Sequence, residues 1–135
     1  MANGQEQMSN VAPKAQQLDS RDVSKRLLDY GVRAIRVVES SPRTLMGRRI
    51  GDQLLRSSIS VGANCEEAQG AESREDFVPK LQIALKEVRE SNYWLRLVAK
   101  VEIVPSNRLS AILDESNQLP AMLSKAVATT KGKAK

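Results

Sequence analysis

Acidic side chains occur in two pairs whose spacing suits a carboxylate site. Glu66 and Glu67 are adjacent, and Glu87 and Glu90 are one helical turn apart in a later segment. Gathered carboxylates bind hard cations such as Ca²⁺ and Mg²⁺. The alternative is a set of ion pairs, at the surface or between subunits, because Arg89 lies beside the second pair. We favour ion pairs and predict no metal site.

Histidine is absent from the chain, and this limits the chemistry that it can perform. Catalytic triads with an imidazole base, zinc sites with histidine ligands and the Glu-x-x-His di-iron sites of helical bundles all need that residue. The neighbourhood of Glu66, Glu67 and Arg89 is the remaining candidate for an acid–base pocket. The sequence therefore predicts a protein that is not an enzyme, with no catalytic residue and no cofactor.

Asn64 and Cys65 immediately precede the first acidic pair. Asn64 falls on the apolar stripe of a predicted helix, where an unpaired amide would cost about 1–3 kcal/mol. Two interpretations remain open for it, namely a buried hydrogen bond that fixes helix register and a contact with a ligand or partner. Acidic neighbours raise the pKa of a thiol, whereas a nucleophile needs a lowered one. We interpret Cys65 as a packing residue.

Basic residues form two patches in a chain with net charge +5 and an isoelectric point near 9.6. One patch surrounds the start of the second predicted helix and the other lies at the C-terminus: Arg43, Arg48, Arg49 and Arg56, and Lys125, Lys131, Lys133 and Lys135. Such patches attract nucleic-acid phosphates in a salt-dependent way. A charge of this size also keeps a small domain soluble without any anionic partner. Because few aromatics are available to stack on bases, any nucleic-acid binding should be directed at the backbone.

One compact domain accounts for 135 residues and 14.9 kDa. Aromatic residues make up only 3% of the chain, so aliphatic side chains must fill the core, and this composition favours helices. We find neither an apolar run long enough to cross a bilayer nor a secretory signal, and we expect a cytoplasmic protein without membrane contact. A single cysteine fits a reducing compartment.

Apolar and small residues recur at steps of three and four in four segments, which indicates four helices. The stripes are Val23, Leu27, Tyr30, Ala34 and Val37; Ile50, Leu54, Ser57, Val61, Asn64 and Ala68; Phe77, Leu81, Ala84, Val88, Ser91, Leu95 and Val98; and Leu109, Ile112, Leu113, Ser116, Leu119 and Leu123. We predict a disordered arm at residues 1–18, an all-α, antiparallel up-down-up-down four-helix bundle at 19–127, and a fraying basic tail at 128–135.

Capping residues and prolines set the expected helix ends. The second helix begins either at Ser41–Pro42, with serine as the cap, or at Arg48. Ser73 opens a capping box for the third helix, but Pro79 should kink that helix or delay its start. Pro120 should bend the fourth helix.

A further set of apolar residues lies outside these stripes, on the first and third predicted helices: Leu28, Ile35, Ile83, Trp94 and Leu97. We expect this set to form a subunit interface, because large apolar side chains carry much of the contact energy between proteins. The alternative for Trp94 is a partly exposed side chain in a single copy.

Two stretches resemble a known family. Residues 57–77, SSISVGANCEEAQGAESREDF, and residues 80–97, KLQIALKEVRESNYWLRL, are similar to four-helix-bundle proteins related to the 23S rRNA intervening-sequence protein. The match includes Asn64, Glu66 and Glu67, and Pro79 departs from it. The resemblance implies a bacterial, cytosolic homopentamer without enzymatic activity. Similar bundles serve diversity-generating retroelements, in which a basic pentamer engages nucleic acid and a reverse transcriptase.

These observations leave two leading hypotheses for function. The first is a homo-oligomeric interaction module that binds RNA, DNA or a nucleic-acid-processing protein through its basic patches. The second is a protein–protein adaptor whose charge only maintains solubility.

Overall fold

The computed structural model describes residues 20–133, without the side chains of residues 20, 21, 74 and 133. Within that range the chain forms the helices α1 (Ser20–Ser40), α2 (Leu45–Gln69), α3 (Arg74–Val101) and α4 (Ser106–Lys133). The connections are short, so consecutive helices run antiparallel. The predicted up-down-up-down four-helix bundle is confirmed. The predicted arm at residues 1–18 lies outside the described residues.

Helix α2 packs between α1 and α3, and α3 packs between α2 and α4. The interface of α1 with α4 is the smallest of the four neighbouring pairs. The two ends of the bundle carry different connections. The α1–α2 and α3–α4 connections lie at one end, and the α2–α3 connection lies at the other, together with the start of α1 and the end of α4.

Helix α2 begins after Thr44, at neither of the two predicted positions. The Thr44 Oγ1 atom accepts a 3.0 Å hydrogen bond from the backbone N–H of Gly47, which caps the first turn. A Cβ at position 47 would lie 2.3 Å from the carbonyl oxygen of Pro42. The chain therefore folds back onto its own helix so closely that only glycine fits there.

Helix α3 begins where the capping box predicts. The Ser73 hydroxyl accepts from the backbone N–H of Asp76 at 3.3 Å. Pro79 lies inside the helix and does not delay its start. The missing N–H of Pro79 would have bonded the carbonyl of Glu75, which lies in the exposed first turn and is open to water. Glu102 ends the helix in the left-handed conformation, with φ of 58°.

Helix α4 continues through Pro120 and as far as Lys133. The segment from residue 128, expected to fray, is thus helical over its described part. Val127 packs into the core with 8% exposure, and the Thr130 hydroxyl bonds the carbonyl of Ala126 at 2.9 Å. The packing of Val127 holds this part of the helix on the bundle, and the Thr130 bond lies within the helix itself.

The predicted stripes of all four helices are confirmed, because every member is buried or half-buried. On α2, Asn64 is half-buried and its neighbour Cys65 is buried. The core is aliphatic apart from Tyr30, which is fully buried, and the half-buried Phe77 and Trp94 at its margin.

A polar layer crosses this core, with one residue from each helix: Tyr30, Ser58, Ser91 and Ser116, all 0% exposed. The Tyr30 hydroxyl lies 2.6 Å from Ser91 Oγ. Since Ser91 donates its own hydrogen to the Val88 carbonyl, the phenol is the donor in this pair. Burial raises the pKa of Tyr30, and the neighbouring serines partly offset that rise. Ser58 is one of the serines that lower the pKa of Tyr30. Its own Oγ atom is buried and forms no hydrogen bond with the described residues.

None of the helices in residues 20–133 has the length and apolar character needed to cross a lipid bilayer.

Candidate functional site

Arginines dominate the end of the bundle that carries the α1–α2 and α3–α4 connections; we call it the arginine end. Arg43, Arg48 and Arg49 of the predicted patch lie there, and all three are exposed. The Arg48 Nη1 group donates to the backbone carbonyl of Arg43 at 3.2 Å. This bond positions the Arg48 guanidinium beside the α1–α2 connection. Because the acceptor is a neutral carbonyl, the positive charge is left uncompensated.

The bundle adds further basic residues to this end that the one-dimensional pattern did not reveal. Arg33 and Arg36 come from the last turns of α1, and Arg108 comes from the first turn of α4. Acidic residues in the same parts of the four helices are fewer: Glu39, Asp52, Glu102 and Asp114. The local excess of positive charge makes this end the strongest candidate for binding an anionic polymer. The predicted antiparallel order of the helices already implied that the end of α1 and the start of α4 meet at one end of the bundle.

Arg56 does not belong to this group. Its guanidinium pairs with Glu90 and lies 3.4 Å from Glu87, on the outer side of the α2–α3 interface. The hydrogen bond to Glu90 is the main cause of a raised pKa for Arg56. Because two carboxylates already neutralise it, Arg56 is a poor contact for phosphate, contrary to the prediction.

The described members of the C-terminal patch, Lys125 and Lys131, lie towards the opposite end of the bundle. Lys131 is exposed on the last turn of α4, while the Lys133 side chain and Lys135 lie outside the described part of the protein. Within one copy, the arginine end and Lys131 are therefore at opposite ends of the bundle.

The acidic residues of the family-like motif serve different contacts. Glu66 and Glu67 are both exposed, and Glu67 forms an ion pair with Lys80 Nζ at 2.6 Å. The Asn64 amide donates to the Ser60 carbonyl at 2.9 Å, within its own helix, so this bond does not fix register between helices. Across the described residues, histidine, cysteine and acidic side chains do not form a group of three or more suited to a metal ion.

Cys65 packs in the core with 3% exposure. Burial is the main cause of its raised pKa, and the nearby charge of Glu66 adds to it. A thiol kept protonated and shielded from solvent is a weak nucleophile, as the interpretation of Cys65 as a packing residue requires.

Trp94, Glu90 and Arg56 form a connected group on the outer side of α2 and α3. The indole Nε1 donates to Glu90 Oε2 at 3.0 Å, and the same carboxylate pairs with Arg56. The indole hydrogen bond is the main cause of a lowered pKa for Glu90, with Arg56 adding to it. The group therefore holds the side chain of Trp94 in one orientation along the helix.

Acid should weaken this group in a defined direction. The folded pKa of Glu90 lies below its ordinary value of about 4.5, so its stabilisation is fully present above that pH and is lost as the pH falls through the lowered pKa. We expect Glu90→Gln to be less stable than the parent at neutral pH, and the difference to shrink in acid. Urea unfolding followed by the emission of Trp94, the sole tryptophan, measures both effects. Glu72→Gln is the control; a pH-independent difference for Glu90→Gln would contradict the expectation.

The predicted interface residues lie on two separate surfaces of one copy. The α1 surface comprises Leu28, Val32 and Ile35, with Leu28 69% exposed. A Cβ at Gly62 of α2 would lie 3.6 Å from Leu27, so α1 and α2 approach each other closely at this level.

The α3 surface comprises Ile83, Trp94 and Leu97, of which Ile83 is 41% exposed and the others are half-buried. Since α1 and α3 are diagonal in the bundle, the α1 and α3 surfaces point in different directions. The single five-residue interface expected from the sequence is thus split between two sides of the protein.

Comparisons with known proteins give two findings. A family model described as 23S rRNA-intervening sequence protein matches residues 20–125. A crystal structure of a protein of unknown function from the S23 ribosomal protein family of Bacteroides thetaiotaomicron is 32% identical and superposes with a TM-score of 0.70, covering 81% of this chain and 97% of that chain. Curated proteins give no match.

Proposed function

Because this chain belongs to the 23S rRNA-intervening sequence protein family, we propose that it is a non-enzymatic, homo-oligomeric interaction module whose arginine end binds nucleic acid. The observation that carries the proposal is the collection of exposed arginines from three segments at one end of the bundle. Arg43, Arg48 and Arg49 have no acidic partner among the described side chains. Unneutralised guanidiniums attract the phosphate backbone and release its counterions.

The two apolar surfaces support the proposed self-association. The α1 and α3 surfaces differ in composition and direction, so a contact between them joins one side of a copy to the other side of the next. Repeated head-to-tail contacts of this kind close into a ring when the rotation permits. A homopentamer is the ring that the family resemblance implies.

A ring would multiply the effect of the arginine end. If the helices run along the ring axis, every copy presents its arginines on the same rim. Several weak phosphate contacts on one polymer then act together, and the avidity can exceed the affinity of a single copy by orders of magnitude. In such a ring, a modest positive charge on each copy supports tighter nucleic-acid binding than one copy achieves alone.

We expect the α3 surface to be required for assembly. Ile83→Asp introduces a charge into an apolar contact, and Trp94→Ala removes the largest side chain of the surface, so both should lower the mass measured by light scattering towards 14.9 kDa. Gln82→Asp is the matched control, because the neighbouring residue takes the same charge at an exposed position outside the surface. An unchanged mass in both Ile83→Asp and Trp94→Ala would contradict this assignment.

Nucleic-acid binding should be strongly salt-dependent and should depend on the arginine end. We expect the double variant Arg48→Gln/Arg49→Gln to weaken the binding of a labelled RNA and to lower the salt slope by about 0.9 for each phosphate that it no longer neutralises. Fluorescence anisotropy at several salt concentrations measures both quantities. Lys86→Gln/Arg89→Gln removes the same charge from the middle of α3 and should change little.

The result also separates the two functional hypotheses. If the assembled parent binds neither RNA nor DNA at low salt, the proposal of nucleic-acid binding fails, and the protein–protein adaptor becomes the better interpretation. Equal weakening in both double variants would mean that only net charge matters, and the arginine end would not have its assigned role.

A further inference from the structure

A cavity of about 170 Å³ opens between α1 and α4 beside the arginine end. Its wall is mainly apolar, and the residues that line it include Arg33, Arg36 and Arg108 as well as Val37, Ser40, Ala111 and Ile112. One water molecule needs only about 15 Å³ of such space, so a polyatomic anion can enter. The cavity therefore combines an apolar floor with cations from two different helices.

The charges around the cavity are largely uncompensated. Neither Arg33 nor Arg108 forms an ion pair with any described residue, and Arg36 pairs only with Glu39, at 3.2 Å in an exposed position. The Ser40 hydroxyl already donates to the Val37 carbonyl at 2.8 Å, so Arg33, Arg36 and Arg108 are the lining residues with donors left for an anion. Like charges held close together repel each other unless an anion lies between them.

The cavity lies between α1 and α4 at this end of the bundle. Farther along the same interface, Arg26 clamps the two helices through paired bonds to Glu115, at 2.7 and 3.0 Å, and a bond to Gln118 at 3.0 Å. The opening lies between this clamp and the helix ends, in the smallest of the four helix–helix interfaces. Packing elsewhere in the bundle therefore fixes the two helices that carry these arginines.

We propose that this cavity is a phosphate-binding pocket, in which Arg33, Arg36 and Arg108 surround one phosphate group. Guanidiniums form paired hydrogen bonds with phosphate oxygens, and three of them from two helices suit an anion with oxygens pointing in several directions better than they suit a planar carboxylate. The identification of that phosphate as part of a nucleic acid rests on the proposed function. Under that identification, the sugar or base edge next to the phosphate lies on the apolar floor.

Inorganic pyrophosphate tests the pocket without nucleic acid. Calorimetric titration of the full chain should give saturable binding at one site per copy, and Arg33→Gln and Arg108→Gln should each weaken it about tenfold or more. Arg89→Gln, the matched charge control on α3, should leave it unchanged. Absence of saturable binding, equal weakening in the control, or equally tight binding of citrate would overturn the proposal.

A second variant tests the space of the cavity while its charges stay unchanged. Ala111 is exposed on the cavity wall, so Ala111→Leu should fold normally and fill the opening while every arginine remains. We expect this variant to bind pyrophosphate at least tenfold more weakly, and unimpaired binding would overturn the pocket.

The same variant identifies the source of the phosphate. If Ala111→Leu also weakens RNA binding, the phosphate belongs to nucleic acid; if RNA binding persists while pyrophosphate binding disappears, the nucleic-acid identification is overturned and the proposed function stands on Arg48 and Arg49. Pyrophosphate binding by a parent protein that binds no RNA or DNA would instead overturn the proposed function and leave the phosphate pocket standing.

Discussion

Replacing Tyr30 with alanine is expected to lower the free energy of unfolding by about 3–5 kcal/mol, the cost of deleting a buried aromatic ring. Tyr30 is fully buried at the centre of the core. Alanine would leave a cavity bordered by three serines and would remove the hydrogen-bond donor to Ser91 Oγ, 2.6 Å away. A decrease of this size is a large fraction of the stability of a small domain.

Tyr30→Phe is the control that separates the ring from its hydroxyl. It keeps the packing and removes one hydrogen bond, so we expect a decrease of about 1 kcal/mol. Urea unfolding followed by helical circular dichroism measures both variants, at one fixed protein concentration because self-association adds to apparent stability. If Tyr30→Ala were no less stable than Tyr30→Phe, the ring would not be the central packing element of the core.

Gly47→Ala is expected to destabilise the protein by about 1–3 kcal/mol, although alanine normally favours helices. The added Cβ would lie 2.3 Å from the Pro42 carbonyl oxygen and 3.1 Å from Thr44 Oγ1. The first of these is a backbone atom, which cannot move without opening the α1–α2 connection or the cap of α2. The steric cost therefore exceeds the gain of about 1 kcal/mol in helix propensity.

The matched control for Gly47 is Gly31, in the middle of α1. A Cβ at Gly31 would have no neighbouring atom within 4 Å. Gly31→Ala should thus stabilise the protein by up to about 1 kcal/mol, the opposite sign. Thermal unfolding of the two variants beside the parent measures the difference. If Gly47→Ala were more stable than the parent, the backbone at Pro42 would move aside at little cost, and the steric prediction would be wrong.

Helix positions and their buried faces could be predicted because they depend on local periodicity. The stripe from Phe77 to Val98 was predicted and is buried or half-buried, and Ser73 caps α3 where the capping box indicated. Asn64, placed on the stripe of α2, is half-buried, and its neighbour Cys65, interpreted as a packing residue, is buried. One residue turns a helix by about 100°, so an uninterrupted three-four rhythm that includes small polar residues does not determine which of two neighbours faces inward.

Partners across helices could not be predicted in the same way. Arg56 was grouped with Arg48 and Arg49 by sequence proximity, yet its rotation on α2 turns it towards Glu87 and Glu90 on α3. Likewise, the start of α2 depends on the close approach of Pro42 to Gly47. Helix propensities of single residues carry no information about this contact.

The amino-acid sequence by itself determined the four helices, their antiparallel order, the exclusion of histidine chemistry and the family. These follow from short-range spacing, capping residues, composition and two motif stretches. Only the tertiary structure decided which charges are free. It brings Arg33, Arg36 and Arg108 around one cavity and encloses Tyr30 among serines of the other three helices. The reason is physical: charge compensation and cavity shape depend on the rotation and register of packed helices, and the whole core sets both at once.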